Sequence, residues 1–312
     1  MTTHPDYRHS VMVHDTDEEL VSVTEAFVAR GLASGAEVLV HSSSDRVELV
    51  RGVIGAHPGL EYALDEDLYD APARTLFDYQ RVLAERAGTR PLWVTGTVPL
   101  GRDAAEQASW HRYESAVDQA LGAFAFAALC TYDTRTRPPW VIAAARATHR
   151  TVNVDLTDRH NQRYVEPTTF LSSPLAGRPE APTTPPSAAT VVLDLSQLSV
   201  ARELVQDGAV RHSALSRGAI EGLRVAVNEV ATNGLVHGRP PVRLTLWAEV
   251  GRLTCLVEDS GPGLLDAMTG YRRPEGSRSL GMWAARQLVD DLQIGRSSSG
   301  GCSVLLTITE AL

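Results

Sequence analysis

Apolar residues recur in the first half of the chain in a pattern that predicts alternating strands and helices. Four short apolar runs have the length of buried strands: residues 10–13, 37–41, 91–98 and 124–130. Three longer segments have apolar residues at helical spacing: residues 18–33, 72–87 and 105–121. Strands that alternate with helices require crossover connections, which build a largely parallel sheet covered on both faces. We therefore predict that the first part of the chain is an α/β domain.

The order of the elements changes after residue 188. Three segments have helical spacing: residues 199–210, 214–236 and 281–292. Four segments have the pattern of strands: residues 190–195, 242–250, 252–258 and 303–309. The two middle strands meet at Gly251, as in a hairpin. Strands that cluster after helices are typical of an α+β sandwich, so we predict this architecture for the second part of the chain.

A proline-rich segment separates the two patterns. Five of the 17 prolines lie between residues 174 and 186. Proline fixes φ and lacks a backbone donor, so this segment is typical of an extended linker. A length of 312 residues also favours two domains. The expected organisation is a first domain at residues 1–171, a linker at 172–188 and a second domain at 189–312.

Composition and charge exclude several classes of protein. No stretch approaches the roughly 20 apolar residues that span a bilayer, and the N-terminus lacks the pattern of a secretory signal. We therefore expect a cytoplasmic protein that does not enter a membrane. The net charge is -9, which argues against direct DNA binding. The chain contains no lysine, which excludes a phosphate-loop lysine and a Schiff base.

The three cysteines are Cys130, Cys255 and Cys302. Their wide spacing and odd number argue against a disulfide framework and a zinc site. We expect three buried, reduced thiols.

One predicted helix carries two polar residues that suit a nucleotide site. Glu229 and Asn233 are four residues apart and so project from one face, where a carboxylate and an amide oxygen can meet magnesium and a phosphate. Apolar residues form a stripe along the same helix at Ile220, Leu223 and Val227. Taken alone, the Glu/Asn pair is better explained as two solvated side chains on a surface helix.

Two glycine-containing segments follow this helix. In the first, Asp259 ends an apolar strand and is followed by Gly261 and Gly263, so its carboxylate can accept a hydrogen bond from an adenine amino group. An ordinary Asp/Gly turn is an equal explanation. In the second, Gly281 opens a helix whose N-terminal amides would favour phosphate oxygens, although a plain loop glycine explains it better on its own.

In this order and spacing, the three segments resemble the N, G1 and G2 boxes of the GHKL ATPase superfamily, which has the Bergerat fold. The superfamily includes histidine kinases, gyrase and bacterial anti-sigma serine kinases. The resemblance covers nearly all of residues 190–312 and includes Gly301-Cys302-Ser303-Val304, similar to the family's terminal Gly-Thr-Thr-Val element.

The resemblance implies that the second domain binds ATP with Mg2+. It implies that Asn233 ligates Mg2+ and that Asp259 contacts adenine. Ser303 would replace a threonine near the base, and residues 264–279 would form a mobile lid over ATP. Three glycines would shape the pocket: Gly261, Gly263 and Gly281.

Among the members of the superfamily, the chain is most similar to the anti-sigma serine kinases. A histidine kinase needs a dimerising helical hairpin just before its ATP domain, where this chain has the proline-rich linker. The resemblance implies that Glu229 is the general base for a serine hydroxyl of an anti-anti-sigma (STAS) partner. Arg278 matches an arginine that contacts the γ-phosphate, although Leu280 adds one residue before Gly281. Arg202 matches an arginine that contacts the partner.

The first domain resembles the MEDS sensory domain, which is expected to have a RecA-related fold. Several segments support the resemblance: the region of His9, Gly31-Leu32, Trp110-His111-Arg112-Tyr113-Glu114, Tyr132-Asp133, Pro138-Pro139-Trp140 and Ala147-Thr148-His149. The resemblance covers about residues 7–170. Residues 41–46 lack the glycines and the lysine of a phosphate loop, so ATP hydrolysis in this domain is not expected.

Two interpretations of the polar residues in the first domain remain open. Six residues either line a pocket for a small-molecule signal or serve as buried aromatic and capping residues: His9, Trp110, Glu114, Tyr132, Asp133 and His149. A metal site at His149, Asp155, Asp158 and His160 is a remote alternative because these residues are irregularly spaced.

Together these patterns predict a two-domain α/β protein with a RecA-like parallel sheet followed by a GHKL two-layer α+β sandwich. The expected function is that of a cytoplasmic regulator. It would sense a signal, bind ATP with Mg2+, sequester a sigma factor and phosphorylate a serine of an anti-anti-sigma protein. The alternative is a non-catalytic module whose nucleotide controls sequestration. Related kinases commonly form homodimers, which we carry as an expectation.

Overall fold

The fold was obtained as a computed structural model, which describes residues 3–101, 103–177, 184–210, 215–263, 266, 268–272 and 280–309. The chain divides into two compact units, Met1–Gly177 and Arg178–Leu312. Each unit has its own sheet and its own hydrophobic core. Within the described ranges, no helix is both long and apolar enough to cross a membrane.

The first unit contains seven strands and seven α-helices within its described residues. The strands are β1 (Arg8–His14), β2 (Glu37–Ser42), β3 (Leu60–Leu64), β4 (Leu92–Gly96), β5 (Phe126–Asp133), β6 (Thr151–Val154) and β7 (Thr157–His160). The helices are α1 (Asp17–Ala33), α2 (Ser44–Ile54), α3 (Asp65–Leu68), α4 (Pro72–Glu85), α5 (Ala104–Leu121), α6 (Pro139–Thr148) and α7 (Pro167–Leu171).

The seven strands form one sheet in the order β3-β2-β4-β5-β1-β6-β7. Neighbouring strands pair in parallel, except that β6 and β7 form an antiparallel edge. The predicted α/β domain with a largely parallel sheet is therefore confirmed. The pattern of apolar residues missed β7 because its sequence, Thr-Asp-Arg-His, has no apolar position.

Side chains alternate across this sheet, as they do in any strand, and helices pack against both faces. On one face, Phe27 of α1 and Val50 of α2 belong to a core cluster with Met12 of β1 and Leu129 of β5. On the other face, His9 of β1 contacts α5. Helix α1 starts where the Thr16 hydroxyl accepts a hydrogen bond from an amide of the first turn.

The carboxylate of Asp133, at the end of β5, is hydrogen-bonded both to Arg46 of α2 and to Arg135 in the turn after β5. Its side chain is 2 % exposed and accepts hydrogen bonds from the backbone N–H of Arg135 (2.8 Å) and from the guanidinium groups of Arg135 (2.8 and 3.0 Å) and Arg46. The hydrogen bonds from Arg135 hold the pKa of Asp133 far below its ordinary value, although burial opposes this shift. Asp133, one of the candidate pocket residues of the sequence analysis, is therefore engaged in hydrogen bonds within the fold.

We predict that Asp133→Asn lowers the free energy of unfolding by about 2 kcal/mol at pH 7, because hydrogen bonds to a charged acceptor become bonds to a neutral one. The pKa of Asp133 is lower in the folded than in the unfolded chain. Its contribution to stability is therefore complete above the unfolded value of about 4 and is lost as the pH falls through the folded value. Urea unfolding at pH 7 and below pH 4 measures this difference.

The matched control for this prediction is Asp17→Asn. Asp17 also pairs with Arg135, at 2.5 Å, but its side chain is 54 % exposed. A solvent-exposed ion pair contributes less than about 1 kcal/mol, so this variant should unfold almost like the wild type. Equal effects of the two substitutions at pH 7 would contradict a special role for the buried carboxylate.

The second unit contains five strands and three α-helices among its described residues. The strands are β8 (Ala189–Leu193), β9 (Val242–Glu249), β10 (Arg252–Glu258), β11 (Asp291–Arg296) and β12 (Cys302–Thr309). The helices are α8 (Leu198–Val210), α9 (Arg217–His237) and α10 (Gly281–Leu288). The strands form an antiparallel sheet in the order β11-β12-β10-β9-β8.

The core of the second unit lies between this sheet and its three helices. Leu223 and Val227 of α9, Leu253 of β10 and Leu306 of β12 are fully buried in one cluster that also includes Ala285 of α10. The unit is therefore a separate antiparallel sheet with packed helices, as the order of the elements predicted.

The predicted helix at residues 281–292 is wrong at its C-terminal end. Helix α10 ends at Leu288, and β11 starts at Asp291. Leu292 is buried in the core, so its position fits helical spacing as well as strand spacing. The backbone N–H of Asp290 donates to Thr307, which starts pairing with the last strand and ends the helix.

Candidate functional site

The site in the second unit begins on α9, the longest described helix. The Ser216 hydroxyl caps its N-terminus by accepting from the backbone N–H of Ala219. Its buried stripe packs into the core, while Glu229 and Asn233 are half-buried on another face. The spacing of four residues places these two polar side chains one turn apart, as the sequence predicted.

Gly281 brings the N-terminus of α10 against this pair. A Cβ atom at Gly281 would lie 2.9 Å from Glu229 Oε2 and 3.6 Å from Asn233 Nδ2. The first amides of α10 therefore lie near a carboxylate and an amide side chain. A helix N-terminus with free amides favours anions such as phosphate oxygens. The three residues that the sequence selected separately are thus adjacent in the fold.

Asp259, directly after β10, forms a second part of the site. It is 8 % exposed, and its Oδ1 accepts from the backbone N–H groups of Gly261 (2.7 Å) and Cys302 (3.3 Å). Among the described residues, Oδ2 has no hydrogen-bond partner. One oxygen thus orients the carboxylate, and the other is available to a ligand.

Glycines surround Asp259 so closely that larger residues would not fit. A Cβ atom at Gly238, just after α9, would lie 2.6 Å from Asp259 Cγ. At Gly301 it would lie 2.1 Å from the Asp259 carbonyl oxygen, and at Gly261 it would lie 2.8 Å from the Cα of Gly238. The end of α9 therefore lies beside Asp259, which links the helix carrying Asn233 to the strand end.

The hairpin between β11 and β12 completes this side of the site. The hydroxyl groups of Ser297 and Ser299 donate to the Asp259 carbonyl at 2.8 and 3.2 Å. Gly263 has a positive φ of 79°, which favours glycine, and a Cβ there would lie 3.5 Å from the Gly301 carbonyl. Ser303 is paired with the last residue of β10 and so lies near the same strand end.

Sequence reasoning did not select the residues that hold Asp259 in place. Gly238, Ser297 and Ser299 were not assigned a role, yet each contacts this residue. The run Ser297-Ser298-Ser299-Gly300-Gly301 indicates a tight turn, but only strand pairing shows which carbonyl its hydroxyls reach.

The remaining sequence-predicted residues of this unit have different positions. Arg202 of α8 is half-buried, and its guanidinium donates to Asn228 Oδ1 of α9 at 2.8 Å. This bond connects the two helices one residue before Glu229. Arg278 lies outside the described residues, as does most of the lid segment 264–279.

The first unit contains a buried cluster of ionisable side chains. His9 of β1, Glu114 of α5, Cys130 of β5 and His149 after α6 place one ligand-type atom each within 4.8 Å of the others. His9, Glu114 and His149 are buried, whereas Cys130 is partly exposed. Three of the predicted pocket residues therefore meet, and Cys130, expected to be a buried thiol, is their fourth member.

The other predicted residues of the first unit lie around or away from this cluster. The buried hydroxyl of Tyr132 is 3.5 Å from Glu114 Oε1, and buried Trp110 stacks edge-on against Tyr113. The alternative metal site around His149 is wrong. Among the described residues, its other three members do not join a metal-type group: Asp155, Asp158 and His160.

Burial and hydrogen bonding shift the pKa values of this cluster in different directions. Burial lowers the pKa of His149 to about 4 and raises that of the Cys130 thiol to about 11. Burial also opposes ionisation of His9 and Glu114, but their hydrogen bonds prevail and raise the pKa of His9 and lower that of Glu114. Both shifts favour the charged forms of His9 and Glu114, which lie 3.0 Å apart.

The three cysteines are free, as the sequence predicted. Only Cys255 is buried, whereas Cys130 and Cys302 are partly exposed. The expectation that all three are buried is therefore wrong for two of them, which lie at the edges of the two sites.

Comparison with known proteins identifies both units. Residues 8–150 match the model of the MEDS family, the methanogen/methylotroph DcmR sensory domain. Residues 191–308 match the histidine kinase-like ATPase domain. The chain therefore combines an N-terminal MEDS domain with a C-terminal histidine kinase-like ATPase domain of the GHKL type. A sensory domain joined to such an ATPase domain indicates a signalling regulator that binds ATP.

Among solved structures, the chain is similar to the ATP binding domain of PrrB from Mycobacterium tuberculosis. The identity is 20%, the match covers 40% of this chain and 98% of that one, and the TM-score is 0.25. No curated protein matches the chain.

Proposed function

We propose that the chain is an ATP-dependent protein serine kinase of the anti-sigma type, controlled by its MEDS domain. It would sequester a sigma factor and phosphorylate a serine of an anti-anti-sigma (STAS) protein. The observation that carries this proposal is the meeting of Glu229, Asn233 and Gly281 at the N-terminus of α10.

The arrangement around α9 suits a nucleotide whose base lies at Asp259 and whose phosphates lie at Asn233 and the N-terminus of α10. Asp259 is 8 % exposed and offers its free carboxylate oxygen to an adenine amino group. The glycines packed around it present backbone rather than side chains to this space. Asn233 and the amides of α10 suit phosphate oxygens and Mg2+. When bound, ATP would supply the phosphoryl group and Mg2+ would offset its charge.

Glu229 favours an enzyme over a passive binding module. Its carboxylate is half-buried beside the N-terminus of α10, where the phosphates are expected. A carboxylate in this place can take the proton of an attacking serine hydroxyl. Binding of ATP alone requires no such group and would be opposed by its negative charge.

The region before the ATPase domain favours serine over histidine as the acceptor. Between α7 and β8, the described residues contain one short 3-10 helix, Pro174–Ala176, and no helical hairpin. The described part of this region therefore contains no helical hairpin that could carry a phosphorylated histidine. The predicted roles of Arg278 toward the γ-phosphate and of Arg202 toward the partner stay part of the proposal.

We predict that magnesium strengthens ATP binding and that Asn233→Ala removes this effect, weakening ATP about tenfold or more when Mg2+ is present. Calorimetric titration of the full chain with ATP, with and without Mg2+, measures both quantities. Thr232→Ala is the matched control, because the Thr232 hydroxyl bonds within its own helix, to the Asn228 carbonyl at 2.7 Å. No ATP binding by the wild type would refute the nucleotide site itself.

A further inference from the structure

Four side chains that are distant in sequence converge in the MEDS domain with their metal-binding atoms facing one another. Glu114 Oε2 lies 3.0 Å from His9 Nε2 and 3.4 Å from His149 Nε2. Cys130 Sγ lies 3.7 Å from His9 Nε2 and 3.8 Å from Glu114 Oε2. The fold brings them together because β1, which carries His9, lies between β5 and β6.

The opposite edges of both imidazole rings are already held. His9 Nδ1 is 3.1 Å from Asp118 Oδ1, and His149 Nδ1 is 2.7 Å from the Ala145 carbonyl. Each Nδ1–H can donate to its acceptor, so Nε2 is the ring nitrogen that faces the cluster and can bind an ion once it carries no proton. Metal-ligating histidines are typically oriented in this way by a carboxylate or carbonyl.

Asp118 is itself held in position. Its Oδ1 accepts from the Tyr7 hydroxyl at 2.8 Å, and its Oδ2 accepts from Arg150 Nε at 3.0 Å. The carboxylate that orients His9 is therefore satisfied by groups outside the cluster. By contrast, His149 Nε2 is fully buried and has no hydrogen-bond partner in the described structure, although it points at Glu114. Such an atom calls for a ligand.

We propose that His9, Glu114, Cys130 and His149 bind one Zn2+ ion in the MEDS domain. Zinc binds nitrogen and oxygen at about 2.0–2.2 Å and sulfur at about 2.3 Å, so a tetrahedral ion separates its ligand atoms by about 3.3–3.6 Å. Four of the six separations between the ligand atoms are 3.0 to 3.8 Å, which brackets this range, and all six are within 4.8 Å. The site therefore needs shifts of about 1 Å at most to close around the ion.

The donor set selects the kind of ion. Two imidazoles, a thiolate and a carboxylate match zinc, whereas Mg2+ and Ca2+ prefer oxygen ligands. Two anionic ligands neutralise a divalent cation, so the buried ion leaves no net charge in the core. Binding replaces the proton shared by His9 and Glu114 and the proton of the Cys130 thiol, both of which pass to solvent.

A small cavity adjoins the site. Its volume is about 20 Å³, and it is lined by His9, Glu114 and Cys130 together with tyrosines such as Tyr79 and Tyr113. This volume holds about one water molecule. The ion would therefore meet a space of this size on one side, next to the aromatic side chains of α4 and α5.

The test uses the full chain, stripped with a chelator and then titrated with Zn2+ and with Co2+ as a spectroscopic probe. We expect one ion per chain, a higher melting temperature with Zn2+, and a thiolate-to-cobalt charge-transfer band. Cys130→Ser should remove this band and weaken Zn2+ binding about 100-fold. Cys302→Ser, in the other domain, is the matched control and should keep both.

The result that overturns the proposal is uptake of metal that Cys130→Ser leaves unchanged, or no uptake by the wild type. His149→Gln, with His160→Gln as its exposed control, tests the second ligand in the same way. If the Cys130 or His149 variant does not fold, X-ray absorption of the zinc-loaded wild type decides. One sulfur ligand at about 2.3 Å supports the site, and a shell of nitrogen and oxygen alone refutes it.

Discussion

Replacing Glu229 with glutamine should lower phosphotransfer about 10²- to 10⁴-fold, the usual contribution of a general base. Affinity for ATP should stay the same or rise, because the change removes a negative charge beside the expected phosphates and keeps the size of the side chain. A loss confined to the chemical step is the signature of an interaction made in the transition state. This prediction tests the kinase step separately from nucleotide binding.

The measurement incubates the kinase with a panel of STAS proteins, ATP and Mg2+, and detects phosphate incorporated into the STAS proteins by mass spectrometry. Glu221→Gln is the matched control, since Glu221 lies on the same helix and, among the described residues, forms an ion pair with Arg224 alone, at 2.6 Å. It should transfer phosphate like the wild type. If the wild type binds ATP but phosphorylates no member of the panel, the non-catalytic sequestration module becomes the better description.

The main elements were predictable because their patterns are local. The predicted helix at 105–121 and the strand at 252–258 agree with α5 and β10 to within one residue, since buried apolar positions recur there at the period of the element. Short elements escaped this reasoning. The helix Ser44–Ile54 has only two buried residues, Val47 and Val50, so its pattern does not stand out from a polar loop.

The two sites differ in how far the sequence could predict them. Glu229 and Asn233 lie on one helix, and their geometry follows from a spacing of four residues. By contrast, His9 and His149 are 140 positions apart, and only the strand order β5-β1-β6 brings them together. The sequence selected both histidines and Glu114 as candidate pocket residues, but no pattern connects them to Cys130.

The close approaches around Asp259 were beyond local patterns for a related reason. A glycine such as Gly301 is visible in the sequence, but its contact with the Asp259 carbonyl depends on the pairing of β10 with β12. Glycine tolerates such an approach because it has no Cβ. The sequence shows the glycine itself, but it does not show the contact that requires a glycine there.

Replacing Asp259 with asparagine should change the preferred base with little effect on the fold. The amide oxygen can take the place of Oδ1 and keep the hydrogen bonds from the amides of Gly261 and Cys302. The amide nitrogen then takes the place of Oδ2, where it faces the amino group of adenine with a donor against a donor. We expect ATP to bind about 10- to 100-fold more weakly, which corresponds to about 1.4–2.7 kcal/mol.

The same substitution should make GTP a better ligand than it is for the wild type, because the guanine carbonyl can accept from the new amide. Titration of the wild type and of Asp259→Asn with ATP and GTP measures the change in nucleotide preference. Asp207→Asn is the control, because it removes the same charge at an exposed position of α8. If both nucleotides weaken together, the carboxylate acts through the fold. If ATP binding does not change, the adenine lies elsewhere, because an oxygen that accepts from the base cannot be replaced by a donor without loss of affinity.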